Sequence, residues 1–263
     1  MNPKLIAEDT IQLLDSHYSA TIEDKFYDEN DSGYKLISTS PPLTIQDYRF
    51  CMKTKIDVRK QTTLEAIIEN AGKSFAVLNF ASAKHPGGGF LNGAVAQEET
   101  LARSSTLYNS LMDNPEFYTP VKDSLYTDKI IYSKNIIFFK DDDGNRLEHD
   151  IYCDVITCAA PNYSGTSDRK FVDATERISH QALIQTRFEK ILKVALLNNQ
   201  RNLILGAWGC GVFKNPADIN ALAMYNVLRL YDGCFDCFDN VIFAIPAIPN
   251  ADNFDVFINQ FSK

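Results

Sequence analysis

Three consecutive glycines, Gly87, Gly88 and Gly89, are followed after seven residues by Gln97, Glu98 and Glu99. Glycines have no Cβ, so backbone N–H groups can come close to a ligand, and a carboxylate beside that ligand can give or take a proton. Each half has an ordinary explanation: glycine runs make turns, and glutamate in a first helical turn suits the helix dipole. Together, between the strand-like run Phe75–Phe80 and a helical pattern from Glu98, they read as an active site. Neighbours on a helix point roughly 100° apart, so Glu98 and Glu99 do not face one another across a substrate and have separate tasks.

A second glycine cluster, Gly206, Gly209 and Gly211, lies between a strand-like run ending at Leu205 and a helix led by Pro216. Small residues, free amides and the positive end of a helix suit a phosphate group. The spacing is neither that of a Walker loop nor of a dinucleotide fingerprint, so nucleotide hydrolysis and hydride transfer are not indicated. Cys210 has no base beside it, and His17, His85, His149 and His180 are scattered, so a thiol nucleophile is not indicated either.

The elements that must position these loops can be read from periodicity. Strands are expected at Phe75–Phe80, Asn135–Phe139, Asp150–Ala159, Asn202–Leu205 and Asn240–Ile245. Helices are expected at Pro3–His17, Glu98–Asp113, Asp168–Asn198, Pro216–Tyr231 and Phe254–Phe261. Near-continuous apolar strands alternating with amphipathic helices predict an α/β fold whose mixed sheet is covered on both faces. Residues 1–55, a helix followed by a polar, acidic connection through Asp28–Ser32, read as an N-terminal accessory segment packed on a catalytic domain of residues 56–263.

With 263 residues, 45% hydrophobic and 23% charged, the composition is that of a soluble globular protein. No apolar run approaches the roughly eighteen residues of a membrane span, and the acidic amphipathic N-terminus is not a signal peptide. A cytoplasmic or nuclear protein is expected. The net charge of −8 argues against non-specific nucleic-acid binding, and no direct sequence-specific nucleic-acid binding is expected. Among six cysteines, Cys234 and Cys237 have CxxC spacing but no second pair, so buried reduced thiols are expected and no metal. Asp141, Asp142 and Asp143 lack the spacing of a calcium loop and read, with Gly144 and Asn145, as a tight turn between strands.

The GGG–X6–8–QEE pattern and the stretch from Asn79 to Tyr108 resemble the microbial type of poly(ADP-ribose) glycohydrolase, a modified macrodomain family. The helix containing Ile6 to Leu14 is similar to that family's N-terminal helix, and Gly206 to Phe213 resembles the macrodomain diphosphate loop. The resemblance implies a three-layer αβα macrodomain-like core and no cofactor. It implies that Glu99 is the catalytic acid that afterwards deprotonates water, and that Glu98 holds ribose hydroxyls with help from Asn79. It further implies a substrate-binding set of Gly87, Gly88, Gly89, Gln97, Gly209, Cys210, Gly211, Val212 and Phe213, the last lying against the distal ribose. Asn162 belongs to a segment, Ala160-Pro161-Asn162, that borders the cleft in the family. Ser82 stands where ordinary macrodomains carry a ribose-binding asparagine, a change shared by microbial glycohydrolases.

The implied reaction is exo-acting hydrolysis of ribose–ribose O-glycosidic bonds in poly(ADP-ribose), releasing ADP-ribose from a monomeric enzyme. Two other readings use the same residues: removal of mono(ADP-ribosyl) groups from protein or nucleic acid, and non-catalytic ADP-ribose binding. Intact Glu98 and Glu99 disfavour the second, because binding alone needs no acid.

Overall fold

The computed structural model describes residues 2–18, 22–28, 54–119, 125–164, 174–229, 238–249 and 251–262. Helix α1 (Pro3–His17) starts where Asn2 caps the Lys4 amide and Pro3 fixes the first turn. Strands β1 (Asp24–Tyr27) and β2 (Lys55–Arg59) precede helix α2 (Thr63–Glu69). A reciprocal capping box between Thr62 and Glu65 starts α2. Then come β3 (Ala76–Phe80), a 3-10 turn (Phe90–Asn92), α3 (Gln97–Ser104) and α4 (Leu107–Asp113). A second 3-10 turn (Pro115–Tyr118) leads to β4 (Ile130–Lys140) and β5 (Arg146–Cys158). The chain continues through α5 (Ala174–Leu197), β6 (Asn202–Leu205), α6 (Ala217–Arg229), β7 (Asn240–Ala244) and α7 (Asn253–Phe261).

The strands form one sheet in the order β1-β4-β5-β3-β6-β7-β2. β3, β5, β6, β7 and β2 pair in parallel; β1 with β4 and β4 with β5 pair antiparallel. Alternate strand residues feed two cores, as strand pleating requires. Leu78, Leu205 and Phe243 face Phe188, Met224 and Phe257 of α5, α6 and α7. Val77, Val155 and Ile204 face Leu64, Leu101 and Leu111 of α2, α3 and α4. The expected mixed α/β sheet with helices on both faces is therefore observed.

Two expectations change in detail. The helix expected over Glu98–Asp113 is two helices, because Ser105 is extended and bridges to Phe138 while Thr106 N–H donates to Ile137 O. β4 begins at Ile130 rather than Asn135, whose positive φ of 53° marks a bulge inside the strand. The helix start expected at Asp168, the last two residues of the helix expected over Pro216–Tyr231, and Cys51, Cys234 and Cys237 lie outside the described residues, as does nearly all of the connection through Ser32. Asp141–Asn145 does form the turn between β4 and β5, closed by the Asp141 amide on Asn145 O.

In the N-terminal stretch, β1 is an edge strand beside β4. Helix α1 is tied to β4 by Lys140, whose buried ammonium contacts Asp9 at 2.7 Å, Thr10 Oγ1 at 2.7 Å and Ile6 O at 3.2 Å. An unpaired charge there would be costly, so these contacts hold the helix in one place. Among the described residues no helix is long and apolar enough to cross a membrane.

Candidate active site

The carboxyl ends of β3 and β6 open onto one cleft, the usual ligand position in such sheets. β6 pairs with β3 only at Ala76 and Val77. Beyond that point the Gln97 side chain takes the place of the missing strand. Its Oε1 accepts from Phe80 N–H at 2.9 Å, and its Nε2 donates to Leu78 O at 2.8 Å and to Thr63 Oγ1 at 3.3 Å. The amide expected to bind substrate is thus engaged by protein, and it fixes the N-terminus of α3 against the sheet.

One residue on, Glu98 is 3% exposed. Its Oε2 accepts from Ser82 N–H at 2.6 Å and its Oε1 from Asn79 Nδ2 at 3.4 Å. Burial pushes its carboxyl up to about 8; the Ser82 amide opposes this, and the neighbouring charge of Glu99 adds to it. Asn79 also donates to Thr157 Oγ1, while its buried Oδ1 has no protein partner. Ser82 turns its hydroxyl to the amides of Lys84 and His85.

The glycine loop closes over both carboxylates. Gly87 and Gly88 have φ of +68° and +60°. A Cβ on Gly88 would collide with the Glu99 carboxylate and lie 3.2 Å from Glu98 Oε2. Gly89 N–H donates to Glu99 Oε1 at 3.0 Å. Arg103, one turn beyond Glu99 and buried, donates to Ala94 O and Thr100 Oγ1. Burial lowers its guanidinium from the ordinary range, against the Glu99 and Asp142 charges. Sequence reasoning missed Arg103, although its i+4 spacing from Glu99 was a signal.

The cleft has a volume of about 700 Å³ and is lined by Gln97, Gly209, Gly211, Val212 and Phe213 of the expected set, with Phe80, Val95, Trp208 and Ile245. Asn79, Ser82, Gly87, Gly88, Gly89, Glu98 and Glu99 cluster beside it, next in chain to Gln97, rather than in its wall. Among the described residues, no protein group accepts from the amides of Gly209, Gly211, Val212 or Phe213. Cys210 differs: its amide donates to Ala207 O, and burial drives its thiol upward. Asn162 reaches the site indirectly. Its Nδ2 donates to Tyr126 Oη at 3.0 Å, and the Tyr126 ring packs on Phe213 at 5.7 Å. Tyr126 has a positive φ of 59° and no sequence motif around it, so nothing pointed to it beforehand.

The site therefore combines two buttressed carboxylates with a loop of outward amides. The family model for the microbial-type PARG catalytic domain matches residues 7–141, slightly over half the chain. The chain belongs to the microbial-type poly(ADP-ribose) glycohydrolases. Solved structures agree over nearly the whole length. The chain is 34% identical to poly(ADP-ribose) glycohydrolase of Thermomonospora curvata bound to the inhibitor ADP-HPD, covering 98% of this chain and 99% of that one with a TM-score of 0.81. It is 31% identical to the Deinococcus radiodurans glycohydrolase in complex with ADP-ribose, covering 91% and 94% with a TM-score of 0.75. A comparison with curated protein sequences found no match. In this glycohydrolase the matched segment carries Gln97, Glu98 and Glu99, and the amide loop lies beyond it.

Proposed function

We propose that this protein hydrolyses the ribose–ribose O-glycosidic bonds of poly(ADP-ribose) from the chain end, releasing ADP-ribose. The observation that carries the reading is the unequal hold on the two carboxylates. Glu98 is buried and engaged on both oxygens, whereas Glu99 receives one backbone amide on Oε1. Among the described residues nothing bonds Glu99 Oε2, which is left for chemistry. In the reaction Glu99 gives its proton to the leaving ribose oxygen as the anomeric C–O bond breaks. Water then attacks the oxocarbenium-like carbon, and Glu99 takes the proton that the water loses.

Glu98 and the unpartnered Asn79 Oδ1 hold ribose hydroxyls, a fit for a buried acceptor with no protein donor. The amides of Gly209, Gly211, Val212 and Phe213 receive the diphosphate. Residues 1–55 act as an accessory segment to the catalytic domain, with Pro3 and Ile6 of α1 in the cleft wall. A cleft of about 700 Å³ holds one ADP-ribose unit, which supports exo action. All the groups come from one chain, so a monomer suffices. Buried free thiols at Cys153 and Cys158 fit a reducing cytoplasmic or nuclear setting.

The test is incubation with labelled polymer and, separately, with mono-ADP-ribosylated protein, followed by chromatography of products. ADP-ribose from polymer is expected, and Glu99→Gln should abolish it while keeping ADP-ribose affinity within about tenfold. Release from the mono-modified protein alone would replace the polymer reading, and substantial turnover by the variant would remove Glu99 from its role.

A further inference from the structure

The loop that offers its amides to the cleft is held from behind by its carbonyls. Asn220 Nδ2 donates to Trp208 O. Gly209 O accepts both Asn215 N–H at 3.1 Å and Asn215 Nδ2 at 2.9 Å. Phe213 O accepts the amides of Tyr163 and Ser164. In a planar trans peptide the carbonyl and the following N–H point in opposite directions. Pulling Trp208 O into the protein therefore turns Gly209 N–H out, and holding Gly211 O through Lys214 N–H turns Val212 N–H out.

Asn215 is the centre of this hold. It is 3% exposed, and its Nδ2 also donates to Pro161 O at 2.8 Å. Both of those partners are carbonyls, which only accept, so the orientation of the amide is fixed and its Oδ1 must face His180. His180 Nε2 lies 2.7 Å from Asn215 Oδ1 and so carries the ring proton as donor. His180 is buried on α5, its ring edge-on to Tyr163, and it does not line the cleft.

We propose that His180 is a positioning residue for the diphosphate loop: its Nε2–H satisfies Asn215 Oδ1, which keeps Asn215 Nδ2 on Gly209 O and Pro161 O and so holds the loop backbone in place beneath the ligand. This rests on the reading of residues 206–214 as a diphosphate cradle. Without the donor, Asn215 Oδ1 is left buried and unsatisfied, and that cost loosens the hold of Asn215 Nδ2 on Gly209 O. The loop between Gly209 and Asn215 is then held less firmly, its amides are less well preorganised, and binding weakens.

The experiment compares His180→Gln, whose amide nitrogen reaches the Nε2 position, with His180→Leu, which has similar bulk and no donor. His180→Asn, polar but too short to reach Asn215, is the second variant lacking the donor. Calorimetry with ADP-ribose reads affinity, and polymer turnover separates KM from kcat. His180→Leu and His180→Asn should lose at least about tenfold in affinity with KM raised to match and kcat within about threefold. His180→Gln should stay within about threefold of the unmodified protein. Unchanged affinity in either donor-less variant, or equal loss in His180→Gln, overturns the proposal alone. Failure of the unmodified protein to bind ADP-ribose overturns the cradle reading and the proposal with it.

Discussion

The carboxylate of Glu99 occupies the space where a side chain on Gly88 would begin. The glycine is required twice, once for that approach and once for its left-handed backbone at φ +60°. Gly88→Ala should therefore cost about 1–2 kcal/mol of stability from strain. The displaced acid should lower kcat/KM by about 100-fold or more, the penalty typical of misplacing a catalytic group by an ångström. Steady-state kinetics on folded variant decide this; near-normal turnover would mean that Glu99 need not lie against the loop.

Gly211 supplies the opposite case. Among the described residues nothing lies within 4 Å of a Cβ built there, so Gly211→Val begins in open space. The melting temperature should hold while ADP-ribose binding weakens by about 2 kcal/mol or more, because the new methyls stand where a ligand must approach. Calorimetry showing full affinity would reduce the loop to a structural connector.

Glu98 makes stability depend on pH in a defined direction. Its folded carboxyl sits at about 8 against 4.5 ordinarily, so the unfolded chain releases this proton first. Both states are protonated below pH 4.5, and the folded state loses ground as pH rises from there toward 8. Glu98→Gln lacks this titration. Its melting temperature relative to the unmodified protein should rise between those pH values and level off above, whatever constant cost the amide adds. A difference that stays flat from pH 4.5 to 8.5 would show that Glu98 is not held protonated.

Chelation is expected to leave activity intact. Among the described residues no three His, Cys, Asp or Glu side chains converge to hold a metal ion. The mechanism assigns proton transfer to Glu99 and the hold on the substrate's diphosphate to backbone amides, so no step in it calls for a cation. Assays with and without EDTA check this, and a loss restored by added magnesium would refute the assignment.

The glutamate pair and both glycine loops were legible because their chemistry is local: strand, glycines and helix start follow one another in the chain. What supports them was not. Gln97 reads as one member of a substrate-binding triplet until the pairing of β6 with β3 is seen to end at Val77, where the Gln97 amide takes over the backbone bonds of β3. Tyr126, His180 and Asn220 act through contacts with residues 12 to 87 positions away, and no periodicity encodes such pairs. The edge strand β2 was missed because Lys55, Asp57 and Arg59 give it a polar look, a pattern that protects sheet edges from further pairing.

Gln97 standing in for an absent strand has an evolutionary consequence. The catalytic helix takes its position from the register of the sheet, so the connection from Ala83 to Ala96 need not carry the carboxylates itself. Among the described residues, the amides of Gly87 and Gly89 and the close approach of Gly88 tie that connection to Glu98 and Glu99. Descendants of this scaffold can lengthen or recompose the rest of the connection and change what enters the cleft while the acid stays in place. A library randomised at residues 91–95, with the three glycines and Gln97 retained, is the natural place to seek altered substrate range.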